Sequence, residues 1–389
     1  MGELVDRLGE LLRPGMRVAV GDGCGTPRAL FPALAAVARE RGDLSVVLGW
    51  VPVAEPELDL TPFADAVTVL GGGGLRTELD AGTVRRVPCR LSAVPALLAG
   101  PLRPDLLLAT VVRGRDGHHL GAEMSWMRGL IADGVPVAAV LSASAPLADA
   151  GEPLPDGVVT VCAEVDGPLG APGEVETPPP TAVDSAIAGH VAELVPEGAR
   201  VQVGPGRLAA AMVDALRVPV RMDSGMLPDP VVDLDERGLL IGEPVAAYLA
   251  GTRRLYDWAD GRPILHPVET THDIGRLSAA GAPPLIALNT ALELDLDGQV
   301  NVETIGGRAN GMIGGHPDFA AAGVRGRDGL SIVAMASRHR DRPTLVERLS
   351  GPVTTASHDV DVVITERGSV DLRGLDRPAR RAALRDLWG

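Results

Sequence analysis

Aromatic side chains are scarce, with three Phe, two Tyr and four Trp in 389 residues. An extensive pocket of stacked rings is therefore not expected, and a small molecule bound here would be held mainly by aliphatic side chains such as Leu, Val and Met. Cysteine is as rare. Cys24, Cys89 and Cys162 are odd in number and have no metal-ligand spacing, so a disulfide framework is not expected and a reducing compartment is the default. Positive charge is also short: 36 basic residues face 51 acidic ones, a net charge of −15. Without a cluster of the kind that neutralises a phosphate backbone, nucleic acid is not an expected partner, whereas a small anion needs only a few local donors. No run reaches the roughly 18 apolar residues of a membrane span. The opening "MGELVDRLGELLRPG" alternates charged and apolar residues at helical spacing, unlike a signal peptide, so a cytoplasmic chain with no membrane partner is expected.

What is present is ordinary globular material, 46% hydrophobic and 22% charged, in a length that favours two domains over one. "PGMRVAVGDG" (residues 14–23) and "EGARVQVGPG" (197–206) share Gly, Arg, Val, Val, Gly and Gly in register, and each precedes a helix-forming run. The repeated unit is strand, glycine turn, helix. Such a turn presents backbone N–H groups at a helix start, where an anion or a developing oxyanion is stabilised. Buried-strand candidates "LSVVLGWVPV", "AVTVL", "DLLLATVV", "VPVAAVLSA", "VVTVCAEV", "LIALNTAL", "LSIVAMAS" and "VDVVITERG" alternate with helical segments such as "VDSAIAGHVAELV". This order predicts an α/β protein with mainly parallel sheets covered on both faces. The three prolines of "GAPGEVETPPPTAV" (170–183) suit a spacer, giving domains 1–175 and 176–389.

Several long motifs carry a resemblance. "LNTALELDLDGQVNVETIGGRANGMIGGHPDFAAAG" and "GPVTTASHDVDVVITERGSVDLRGL", with "VGDGCGTPRAL", "VPCRLSAVPALL" and "VCAEVDGPL" upstream, resemble the acetyl-CoA hydrolase and 4-hydroxybutyrate CoA-transferase family. The resemblance implies two similar CoA-transferase-type α/β domains with the active site in the cleft between them. It also implies CoA or an acyl-CoA as substrate rather than a permanently bound cofactor, and a homodimer or higher homo-oligomer.

In that family a glutamate in a motif close to His-Thr-Glu-Met-Phe-Ser-Asp-Gly-Val-Val-Asp-Leu attacks the acyl-CoA and passes through a glutamyl-CoA thioester. The matching stretch here is "DSGMLPDPVVDL", and Gly225 stands at the glutamate's place. Glycine cannot be acylated, so the family's covalent route is closed there. Three readings stay open: Gly225 makes room for water or a larger substrate, the acid has moved to a neighbour such as Asp223, or the chain binds acyl-CoA without turning it over. Two histidines, His272 in "TTHDIGRL" and His316 in "MIGGHPDF", replace residues that are amide or small polar in the family; imidazole can take a proton from water near neutral pH. The turns holding Gly204, Gly206, Gly314 and Gly315 are expected to offer N–H groups to the thioester oxygen. Arg308 and Asn310 are assigned to CoA, and Arg207 and Arg325 are further phosphate candidates. His118 and His119 are read as loop residues. Metal ligands are not expected. The expected activity is histidine-assisted hydrolysis of a thioester or hydrolytic C–C cleavage of a β-oxo acyl-CoA, with CoA transfer through a relocated carboxylate, or binding alone, as alternatives.

Overall fold

The computed structural model describes residues 2–389. They form two compact units, one running to Val175 and including Ala247–Glu269, the other comprising Glu176–Ala246 and Thr270–Gly389. No helix among the described residues is long and apolar enough to cross a membrane.

The first unit is built on β1 (Arg17–Val20), β2 (Ser45–Leu48), β3 (Asp65–Thr68), β4 (Arg85–Arg86), β5 (Leu106–Arg113), β6 (His118–Leu120), β7 (Val137–Ser142) and β8 (Val159–Val165), in the order β4-β3-β2-β1-β5-β7-β8 with β6 added to β5. All neighbours are parallel except β5 and β6. The central strands are apolar on both faces because helices cover both. Val18, Val20, Val46, Leu48, Leu106 and Leu108 pack with Phe31 and Leu34 of helix Phe31–Arg41 in one core. Burying each such side chain contributes about 1.5–3 kcal/mol, so truncating Leu108 to Ala would cost about 2–5 kcal/mol.

In the second unit β9 (Arg200–Val203), β10 (Arg221–Met222), β11 (Leu285–Thr290), β12 (Leu330–Ala334), β13 (Val362–Thr365) and β14 (Gly368–Asp371) follow the order β10-β9-β11-β12-β13-β14. Only β14 is antiparallel to its neighbour. Helix His316–Arg325 carries the chain from β11 to β12 and packs Phe319 and Ala322 on Leu285 and Ala287. Residues 172–181 are irregular, and Thr181 then starts helix Ala182–Ala192 through a capping box with Asp184.

Both sheets reverse their strand order beside the repeated glycine turn. β1 lies between β2 and β5, and β9 lies between β10 and β11. The carboxyl edge at such a reversal is where open α/β sheets bind ligands.

Candidate functional site

The two copies of the glycine turn have different surroundings. In the first unit a Cβ on Gly23 or Gly25 would come within 2.8 or 2.6 Å of the Glu123 carboxylate, and one on Gly49 within 2.4 Å of Asp22. Side chains already fill that turn. In the second unit nothing lies within 4 Å of a Cβ built on Gly204 or Gly206, and Gly206, at φ +110°, begins helix Arg207–Asp214. A side chain at either position would meet open space.

The edge beyond β9, β10 and β11 gathers several of the expected residues. Ser224 bridges strands there: its hydroxyl donates to Val203 O at 3.0 Å and accepts from Val203 N at 3.1 Å. Gly225 follows, and the buried ring of His272 lies against it, with Nε2 3.1 Å and Cε1 3.2 Å from where a Cβ would stand. A Cβ on Gly315 would meet the same Nε2 at 2.4 Å. The imidazole therefore fits only because both positions are glycine. Its Nδ1 is 2.8 Å from Thr271 Oγ1, and the ring packs edge-on against Phe319 with centroids 4.8 Å apart. Burial, with Arg276 nearby, pushes its pKa down to about 3.

His316 opens its helix directly after the Gly314–Gly315 turn, where Gly314 has φ +53°. Its Nδ1 is 2.7 Å from Thr355 Oγ1, while Nε2 is enclosed without a hydrogen-bond partner. Burial lowers its pKa to about 4, opposed in part by the backbone at Thr290 and at His316 itself. Nearby on the same sheet edge, the Gln202 and Asn289 amides meet at 3.5 Å and leave Gln202 Oε1 and Asn289 Nδ2 buried without partners.

The remaining candidates are spread more widely. Asp223 is buried between two guanidinium groups, 3.2 Å from Arg200 Nη1 and 2.7 and 3.0 Å from Arg276 Nη2 and Nη1. Arg207 is paired with Asp184 at 2.6 Å. Arg325 lies in the last turn of the ten-residue helix that His316 begins, roughly 15 Å along its axis. Arg308 is exposed beside the Gly306–Gly307 turn, and Asn310 donates to Arg308 O at 3.0 Å. His118 and His119 fall in β6 rather than a loop, and His119 is buried 2.9 Å from Asp116 Oδ1. A hollow of about 880 Å³ beside Ala188, Ala211, Asp214 and Arg237 contains none of the candidate residues.

Sequence reasoning missed an acidic centre in the first unit. Asp22 Oδ2 receives Tyr248 Oη at 2.8 Å, Trp126 Nε1 at 3.1 Å, and Ser125 Oγ and Trp50 N at 3.3 Å each, while Oδ1 has no partner. Beside it, buried Glu123 accepts Gly25 N at 2.9 Å and has no ion-pair partner among the described residues. Burial raises Asp22 to about 6 and Glu123 to about 8, Asp22 adding to the rise of Glu123. Asp22, inside the repeated turn, was a visible signal. Glu123 joins it only through the fold.

Residues 251–387 match the acetyl-CoA hydrolase/transferase C-terminal domain. RipA from Yersinia pestis has the same fold, with a TM-score of 0.86, 23% identity, and coverage of 98% of this chain and 92% of that one. The succinyl-CoA:acetate/propanoyl-CoA:succinate CoA transferase of Fasciola hepatica is 27% identical over 401 residues, 96% of this chain and 82% of that protein. The succinyl-CoA:cyclohexane-1-carboxylate CoA transferase of Geobacter metallireducens is 32% identical over 242 residues. That match takes in 57% of this chain and spans 53%, about half, of the relative's length. The chain thus has the α/β fold of the CoA-transferase type. More particularly, its residues 251–387 are similar to the acetyl-CoA hydrolase/transferase C-terminal domain.

Proposed function

We propose that the chain acts on acyl-CoA thioesters with water as the acyl acceptor, by thioester hydrolysis or by hydrolytic C–C cleavage of a β-oxo acyl-CoA. The observation that carries this reading is His316: a neutral ring, oriented through Nδ1 by Thr355, with a free Nε2 at the end of a glycine turn. When Nδ1–H donates to Thr355, Nε2 offers a lone pair that takes a proton from water as the oxygen attacks the thioester carbonyl. N–H groups of the Gly204–Gly206 and Gly314–Gly315 turns are suited to the oxyanion, a role worth about 3–4 kcal/mol for one donor. Collapse expels CoA thiolate, which recovers the proton from the imidazolium. Burial that depresses the pKa makes the ring a weak base but a strong acid in that second step. His272 shapes the pocket beside Gly225. These residues contain no lysine, so no lysine Schiff base enters the scheme.

CoA is substrate here, not a resident cofactor, and the working form is a homodimer or higher oligomer, measurable by light scattering. Release of CoA from a panel of short and β-oxo acyl-CoA esters, followed with a thiol reagent with and without a carboxylate acceptor, tests the reading. Release that depends strictly on the added carboxylate would overturn it. One observation favours transfer instead: Glu123 is a buried carboxyl with one backbone donor and, among the described residues, no directly paired cation, whereas Asp223 is held by two arginines. Borohydride or hydroxylamine trapping of an enzyme-bound acyl or CoA ester at Glu123 would support that alternative.

A further inference from the structure

The second unit carries an exposed hairpin whose composition opposes the rest of the chain. Arg338–His339 pairs antiparallel with Arg342–Pro343, and all residues from 338 to 343 are exposed. Three guanidinium groups and an imidazole stand there beside one carboxylate, in a chain of net charge −15. Arg338 donates to the Asp341 carbonyl, and no ion pair engages Arg340 or Arg342 among the described residues. Arg340, at the turn, has φ +53°, a left-handed conformation usually left to Gly, Asn or Asp. Another hairpin of the same unit, Thr304–Ala309, uses Gly306 and Gly307 for the same purpose. An arginine held in such a conformation points to a function for its side chain.

The base of the hairpin is fixed while its tip is free. Thr344 N donates to Ser337 O at 3.1 Å and Thr344 Oγ1 to Ala336 O at 2.6 Å. Trp388 Nε1 donates to Ser337 O at 2.9 Å, and Ser337 N to Glu366 Oε2 at 2.8 Å. A pinned base reduces the ordering that a ligand must impose. The hairpin leaves the carboxyl end of β12, the sheet edge that also holds the Gly204–Gly206 turn and Gly225, and exposed Arg308 lies on a hairpin in the connection between the adjacent β11 and β12. All 36 basic residues of the chain are arginine, whose planar fork matches two phosphate oxygens at once.

We infer that the hairpin Arg338–Pro343 is a phosphate-binding element that takes the phosphate groups of a nucleotide-bearing thioester. The identity of the ligand rests on the acyl-CoA reading above; the anion site does not. Six residues are too few to follow a nucleic-acid backbone, but they suit one or two phosphates.

The test uses the full chain with Arg340→Gly, Arg342→Ala and the double variant. Adenosine 3′,5′-bisphosphate, titrated calorimetrically, is expected to bind the parent and to weaken about tenfold or more in the double variant, with a shallower salt dependence. Arg340→Gly is expected to raise the melting temperature while weakening the bisphosphate, an opposition that a purely structural arginine would not produce. In kinetics the double variant should raise KM for an acyl-CoA at unchanged kcat and leave the matching acyl-pantetheine unaffected. Inorganic pyrophosphate, titrated in parallel, separates a nucleotide site from a general polyphosphate site, since hairpin-dependent binding of pyrophosphate alone would overturn the nucleotide assignment. Unchanged bisphosphate affinity in the double variant, or no binding by the parent, would overturn the inference. Loss of binding in the double variant of a parent that turns over no acyl-CoA would uphold the hairpin and remove only the activity reading.

Discussion

His272 occupies space that a side chain at either Gly225 or Gly315 would need, and this sets what substitution can do. A glutamate at 225 brings a Cβ 3.1 Å from His272 Nε2, closer than ordinary contact. Gly225→Glu alone should therefore cost about 1–3 kcal/mol by overpacking. Adding His272→Ala should recover most of that, as urea denaturation of both variants would show. If the double variant then yields a trappable glutamyl thioester with a short acyl-CoA, loss of the carboxylate and gain of the imidazole are two halves of one change. Gly315→Ala should be worse than Gly225→Ala, because its contact is 2.4 Å.

His316 has a separate test. His316→Ala and His316→Gln should each lower turnover by about 10²–10⁴, since an amide can hold water but cannot take its proton. A free imidazole would give an acid limb near pH 6.5, but burial moves the limb to about pH 4. The activity of the parent should thus be nearly level from pH 5 to 7. A limb centred at 6 to 7 that vanishes in the glutamine variant would place the working base in a more open setting than the one described here.

The paired glycine turns were legible in the sequence because a β-branched run, a tight turn and a helix are all local. So were the eight apolar strand candidates, since strands covered on both faces need no alternation. β4, β6 and β14 were not, being short or antiparallel additions with mixed burial, as in Arg85–Arg86 and Gly368–Asp371. The membership of residues 247–269 in the first unit was also hidden, since nothing in its composition marks a return of the chain. Likewise, the repeat showed an Asp22 where the second copy has Pro205 but not that the first turn is filled, because Glu123, which fills it, comes from a distant position. That difference predicts unequal effects of alanine at a glycine of each turn. Gly23→Ala, at φ +82° and 2.8 Å from Glu123, should destabilise by several kcal/mol. Gly204→Ala, with nothing within 4 Å, should leave the melting temperature within a degree or two and affect only ligand binding or turnover.

The buried titratable groups of the two units together set how stability depends on pH. His272 and His316 have folded pKa values near 3 and 4, below the unfolded value of about 6.5, so the unfolded chain binds more protons between those limits. Their contribution is present above about pH 6.5 and is lost as the pH falls. Asp22 and Glu123 run the other way. With folded values near 6 and 8 against ordinary values of 3.8 and 4.5, they favour the folded state at low pH and lose that contribution as the pH rises through the folded values. Between about pH 4.5 and 6 the two pairs oppose each other and stability should be nearly level. Above 6.5 the histidines and Asp22 are largely neutral in the balance, and Glu123 alone should lower stability by up to about 1.4 kcal/mol per pH unit until near pH 8. Glu123→Gln keeps the shape and removes the proton equilibrium, so it should abolish that decline. Urea denaturation from pH 5 to 9, followed through Trp50 and Trp126 of the first unit and separately through Trp388 of the second, would check this. The variant should flatten only the first signal, and an unchanged slope there would show that Glu123 is ionised in the folded chain at neutral pH.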